Sequence, residues 1–196
     1  MLQNYELYMI LSPELSSDEV ETNINLVTDI LTNEVVAKDM KVEKQGLKKL
    51  AYPITKHHSG FYCLFTFNCE LKDIRTMNIV EKKINLNENI VRYIIINQTD
   101  YLVQKSKETV KKTEVTALRD LNKGKALPKK CLSRHLGLRE VDYKDIVYLE
   151  QFTSPYSKIF NRVKTGTSSK FQRKISKAIK RARHMALMSF TPIHNG

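Results

Sequence analysis

Residues 168–187, SSKFQRKISKAIKRARHMAL, carry seven Lys or Arg and no Asp or Glu. The chemistry such a run offers is the binding of phosphates. Each ammonium or guanidinium is a donor with a positive charge, and arginine adds a planar fork that suits a phosphate or a base edge. Like charges three or four residues apart cost a free helix a few tenths of a kcal/mol per pair. Phosphates on the same face reverse that sign and release counterions. If about five of the seven meet phosphates, the log–log dependence of affinity on salt has a slope of about −4.

Other chemistry has little support. There is no G-x-x-x-x-G-K-[ST], G-x-G-x-x-G, H-E-x-x-H or G-x-S-x-G. The five histidines (57, 58, 135, 184 and 194) are scattered, and His57-His58 reads as part of a surface turn. No catalytic residue is expected, and no enzyme activity. Cys63, Cys69 and Cys131 are odd in number and lack C-x-x-C spacing. They read as reduced thiols, with no disulfide framework, metal or cofactor site.

The charge is segregated. The chain has 196 residues and a net charge of +12. Residues 1–104 hold 11 basic and 14 acidic residues, a balance of −3; residues 105–196 hold 22 and 7, a balance of +15. Two units with different tasks are implied, the second seeking a polyanion, either nucleic acid or an anionic membrane surface. Against a membrane, the apolar stripe of the basic stretch (Phe171, Ile175, Ala178, Ile179, Ala182, Ala186) is alanine-rich and lacks Trp. No window approaches 18 apolar residues in a row. MLQNYELYMIL has no basic n-region and carries Glu6 in its apolar run, so it reads as a strand and not as a signal or transit peptide.

The elements that must position this chemistry follow from periodicity. Residues 5–11, 35–54, 60–71 and 89–97 are rich in β formers. Residues 16–34 switch to helical spacing at Val20, Ile24, Val27 and Leu31, with Ser16 and Glu19 as a capping box. Residues 72–84 repeat that period at Ile74, Met77, Val80, Lys83 and Ile84. The order β-α-β-β-α-β is ferredoxin-like, an α+β fold over residues 1–100. Ser59-Gly60-Phe61 through Thr66 partly matches the RNA-recognition signature of strand aromatics, but Tyr62, Cys63 and Thr66 do not fit. Phe61, Cys63, Phe65 and Phe67 are therefore expected to pack on the helices.

Residues 101–128 read as a Lys- and Thr-rich linker in which Val110, Val115, Leu118 and Leu121 could make a short helix. Residues 129–196 read as a small, mostly helical basic domain. A short helix begins near Asp142, places Val141, Ile146, Leu149 and Phe152 together, and ends at Pro155. Thr165-Gly166-Thr167 forms a turn, and Ser169 with Gln172 a second capping box before the basic helix.

Two resemblances follow. YELYMILSPEL, GLKKLAYPITKHHSGFY and NIVRYIII resemble bacterial-type small-subunit ribosomal protein six, over residues 2–100. DYKD (142–145), TGTS (165–168) and AIKRARHMAL (178–187) are similar to small-subunit ribosomal protein eighteen, over residues 129–190. The resemblance implies a fusion of two neighbours that dock on each other and bind small-subunit rRNA in the platform, beside other small-subunit proteins. It places RNA contact at Arg162, Lys164, Lys170, Arg173, Lys174, Lys177, Lys180, Arg181 and Arg183. At Thr165, Gly166 and Thr167, backbone amides near a phosphate and a plain helix cap stay equally open. Some members of the second family hold zinc with paired cysteines; Cys131 stands alone, so no metal is expected. The usual proline and adjacent arginines before TGTS are replaced by Asn161, Arg162, Val163 and Lys164. Ribosomes of bacterial cytoplasm, plastid or mitochondrion are all compatible, the absence of a transit peptide pointing to a bacterium or an organelle-encoded gene. A free RNA-binding repressor of messenger RNA is the alternative reading.

Overall fold

The computed structural model describes residues 3–69, 74–98 and 141–191. The chain divides into two compact units, Met1–Val103 and Gln104–Gly196. The expected linker and its short helix, like Cys131, lie outside the described residues.

In the first unit the elements are β1 (Gln3–Leu11), α1 (Ser17–Val35), β2 (Lys38–Ile54), β3 (His57–Cys69), α2 (Ile74–Asn85) and β4 (Ile90–Asn97). The sheet order is β2-β3-β1-β4, antiparallel throughout, with Tyr5 opposite Phe67 and Met9 opposite Cys63. This is the expected ferredoxin-like α+β arrangement.

Alternation along the strands decides what each face buries. Leu7, Met9 and Leu11 of β1 and Cys63, Phe65 and Phe67 of β3 join Val20, Ile24, Val27 and Leu31 of α1 and Met77, Val80 and Ile84 of α2 in one core. Phe61 packs against the same cluster. The strand aromatics therefore meet helices, as expected, and leave no base-stacking surface there. The opposite face carries Tyr8, Ile10, Tyr62 and Leu64 in register, all buried, beside buried Glu6. The rings of Tyr8 and Tyr62 lie 5.4 Å apart, and Lys48 Nζ sits 5.6 Å over the Tyr62 ring.

α1 starts where the sequence places it. Ser16 Oγ accepts from the Glu19 amide, and Glu19 Oε2 accepts from the Ser16 amide at 2.8 Å, which lowers the Glu19 pKa. Buried Asn23 ties α1 to the loop before β4, because its Oδ1 accepts from Asn87 Nδ2 at 2.8 Å and Asn89 Nδ2 at 3.4 Å. The hairpin between β2 and β3 differs from expectation. Thr55 and Lys56, at φ +49° and +75°, make the two-residue turn, and His57-His58 already belong to β3. Positive φ at both positions gives a turn that matches strand twist, although neither residue is the favoured Asn or Gly.

Among the described residues, the second unit holds α3 (Ile146–Glu150), α4 (Arg162–Thr165) and α5 (Ser169–His184). α3 begins three residues later than expected. Asp145 is its cap and accepts from the Tyr148 amide at 3.2 Å. Asp142 instead closes a local turn onto the Lys144 amide at 3.0 Å. The helix ends at Glu150, before Pro155 is reached. Leu149 and Phe152 are buried as expected, with Tyr143 and Tyr148 beside them.

Candidate nucleic-acid interface

α5 is amphipathic, with Phe171, Ile175, Ala178, Ile179 and Ala182 buried. At 100° per residue these positions span one arc, and α3 lies against this helix. Ser168 is the N-cap, one residue earlier than expected, and accepts from the Phe171 amide at 3.3 Å. The last turn carries Arg181, Arg183 and His184, where cations meet the negative end of the helix dipole.

The seven cations separate into two groups. Lys170, Arg173, Lys177 and Lys180 are exposed and form a ridge opposite the apolar arc. Lys174, Arg181 and Arg183 flank that arc and are half-buried. Arg183 also has work inside the unit. It donates to the Ser157 carbonyl, and its guanidinium carbon lies 5.8 Å from the centre of the Phe190 ring. Burial draws its pKa down from the ordinary arginine value.

Gln172 does not close a capping box. Its Nε2 donates to the Phe160 carbonyl at 2.8 Å, and its Oε1 accepts from Thr167 Oγ1 at 2.6 Å and Thr165 Oγ1 at 3.3 Å. The single Thr165 hydroxyl proton is shared with the Asn161 carbonyl, 3.1 Å from Thr165 Oγ1. Both threonine side chains are buried in this network, so an approaching phosphate would meet the loop's backbone and not their hydroxyls. α4 is itself capped by Asn161, which accepts from the Lys164 amide at 2.9 Å. It ends at Gly166, whose φ of +66° suits a residue without Cβ.

Arg162 and Lys164 are exposed. Arg162 donates to Ser169 Oγ at the start of α5, and Lys164 Nζ lies 3.7 Å from the Phe160 ring centre. The structure thus gathers Arg162, Lys164 and Lys170 around the α4–α5 junction, while Arg173, Lys177 and Lys180 continue along α5. Phe160 and Gln172 were missed as organisers of this junction. Asn161, a cap-forming residue three before Lys164, was the sequence signal for α4. Among the described residues no cluster of three or more His, Cys, Asp or Glu could hold a metal ion, and no helix is long and apolar enough to cross a membrane.

Comparison with known proteins divides the chain the same way. Residues 4–97 match the family described as Ribosomal protein S6, and residues 137–188 the family described as Ribosomal protein S18. Small ribosomal subunit protein bS6 of Fusobacterium nucleatum is 39% identical over 97 residues, covering 50% of this chain and 99% of that protein. The bS6 protein of Synechocystis is 32% identical over 108 residues, covering 55% and 92%. Small ribosomal subunit protein bS18 of Phocaeicola vulgatus is 48% identical over 62 residues, covering 32% of this chain and 70% of that protein.

Proposed function

We propose that this chain, which belongs to the ribosomal protein S6 family through residues 4–97 and to the ribosomal protein S18 family through residues 137–188, holds small-subunit rRNA in the platform with its two halves docked on each other. It is a small ribosomal subunit protein built as a fusion, and both families are structural and not enzymatic. The observation that carries the RNA reading is the exposed ridge of Lys170, Arg173, Lys177 and Lys180 on a helix anchored by its apolar arc. Not one carboxylate lies in residues 151–196 to neutralise it.

Docking of the halves is supported by the apolar residues Tyr8, Ile10, Tyr62 and Leu64, which lie on the sheet face opposite the side that meets α1 and α2. Residues 101–128 serve as the tether, which raises the effective concentration of one half for the other. Other small-subunit proteins are its neighbours in the assembly. The compartment of its ribosome is bacterial cytoplasm or an organelle.

Ribosomes washed at high salt and resolved into subunits on a gradient test this function. Both halves are expected in the small-subunit fraction as one 22.8 kDa species. Two co-sedimenting fragments would show that the tether is cut. A chain left at the top of the gradient would overturn the structural role in favour of a free RNA-binding regulator.

A further inference from the structure

Between α3 and α4 the chain makes a tight turn that the RNA-binding ridge does not account for. Thr153 and Ile159 pair as an antiparallel bridge, and the Phe160 amide donates to the Phe152 carbonyl at 2.8 Å. Inside that bridge the Ser154 amide donates to the Lys158 carbonyl at 2.8 Å, the Ser157 amide to the Ser154 carbonyl at 2.8 Å, and the Lys158 amide to Ser154 Oγ at 3.0 Å. Pro155 fixes its own φ. Ser157 stands at φ +59°, a strained value that persists only where surroundings enforce it. Arg183 supplies that enforcement by donating to the Ser157 carbonyl, and Ser157 Oγ lies 3.3 Å from Ser189 Oγ.

This rigid mount carries one large side chain outward. Tyr156 is 73% exposed, whereas Tyr143 and Tyr148 of the same unit are buried. Its chain neighbours are exposed Pro155, half-buried Ser157 and exposed Lys158. The nearest carboxylate in sequence is Glu150. An exposed aromatic ring on a preorganised turn in an acid-free, cationic segment has the chemistry of a nucleobase platform. The π-face takes any base, lysine holds the backbone, and little side-chain entropy is lost on binding.

We propose that Tyr156 is a stacking platform for an unpaired base of the RNA bound by this unit, a proposal that rests on the RNA-binding reading above. Sequence-tolerant stacking is expected, since no side chain on the turn is arranged to read a base edge. Arg183 acts as a positioning residue, through the Ser157 carbonyl and not through the base.

The full chain titrated with bacterial small-subunit rRNA tests the idea. Because Tyr156 is exposed, Tyr156→Ala is expected to melt like the parent while binding about five- to hundredfold more weakly. Its salt slope stays the same, and Tyr156→Phe binds within twofold of the parent. The chain has no tryptophan, so Tyr156→Trp introduces a single reporter. RNA is expected to quench its fluorescence. Parent-like binding by Tyr156→Ala together with an unquenched indole would overturn the proposal and leave RNA binding by the ridge intact. An indole that responds only when other small-subunit proteins are added would overturn it in favour of a protein contact. Failure of the parent chain to bind rRNA would remove both this proposal and the reading beneath it.

Discussion

The two groups of α5 cations make a quantitative prediction about salt. Lys177 and Lys180 lie on the exposed ridge, one turn apart. On the proposed RNA-binding reading, replacing both with Ala removes two phosphate contacts. Each contact contributes about 0.7 to the log–log slope on single-stranded nucleic acid and about 0.9 on a B-form duplex. The double variant is therefore expected to flatten the slope by about 1.4–1.8 units. Arg183→Ala removes one charge of the same sign from the same helix, but that charge is engaged with the Ser157 carbonyl. It is expected to leave the slope nearly unchanged. Its effect falls on stability, and through the turn that carries Tyr156 on affinity equally at every salt concentration; a charge-assisted hydrogen bond is worth about 1.5–3 kcal/mol and this one is half-buried, which places it at the lower end. Filter binding to bacterial small-subunit rRNA between 50 and 400 mM salt, about one decade, resolves slopes that differ by one unit, and thermal melts report stability. An equal flattening by Arg183→Ala would refute the division of α5 into a ridge and a clasp. A parent-like slope for the double variant would refute the ridge as the phosphate-binding face.

Three further outcomes concern the first unit. A Cβ on Gly60 would come within 2.5 Å of Ile10 Cγ2 and 3.1 Å of the Leu11 carbonyl oxygen, so Gly60→Ala overpacks the sheet by about 1–3 kcal/mol and lowers the melting temperature by at least about 4 °C; an unchanged melt would show that the strands part freely. Val36 ends α1 at φ +51°, a left-handed conformation poor for a β-branched residue, and it is 66% exposed. Val36→Gly is expected to stabilise by about 0.5–1 kcal/mol in urea unfolding, the relief of strain outweighing the added chain entropy, whereas destabilisation would show that Val36 packs usefully. Burial pushes the Cys63 thiol up to about 11 from an ordinary value of 9.0. The folded state keeps a proton that the unfolded chain releases, so this contribution is full below about pH 9 and is lost as pH rises toward about 11. Urea midpoints across that range should fall less steeply for Cys63→Ala; parallel curves would exclude the thiol as a cause.

Much of the first unit was legible because each element carries its own period. Alternation in residues 60–67 assigned Phe61, Cys63, Phe65 and Phe67 to one face, and the structure fills that face with α1 and α2. The Ser16–Glu19 box was readable because both partners lie within one turn. Signals failed where a local rule had a tertiary competitor. Gln172 stands at the right distance from Ser169 for a capping box, yet the Phe160 carbonyl, twelve residues away, takes its amide. Asp142 looked like a helix cap and instead closes its own short turn, leaving the cap to Asp145. The hairpin turn lies at Thr55-Lys56, two residues before the expected His57-His58, because neither Thr55 nor Lys56 announces a positive φ.

From sequence alone came the split in charge, the α+β order of the first hundred residues and the apolar arc of α5 with its run of cations. Those follow from composition and from periods of two and 3.6, which operate over a few neighbours. Only the tertiary structure could separate Lys177 from Arg183. Both are cations outside the apolar arc, and nothing within one turn distinguishes their tasks. The distinction comes from a carbonyl 26 residues earlier, brought to the end of α5 by the turn that carries Tyr156.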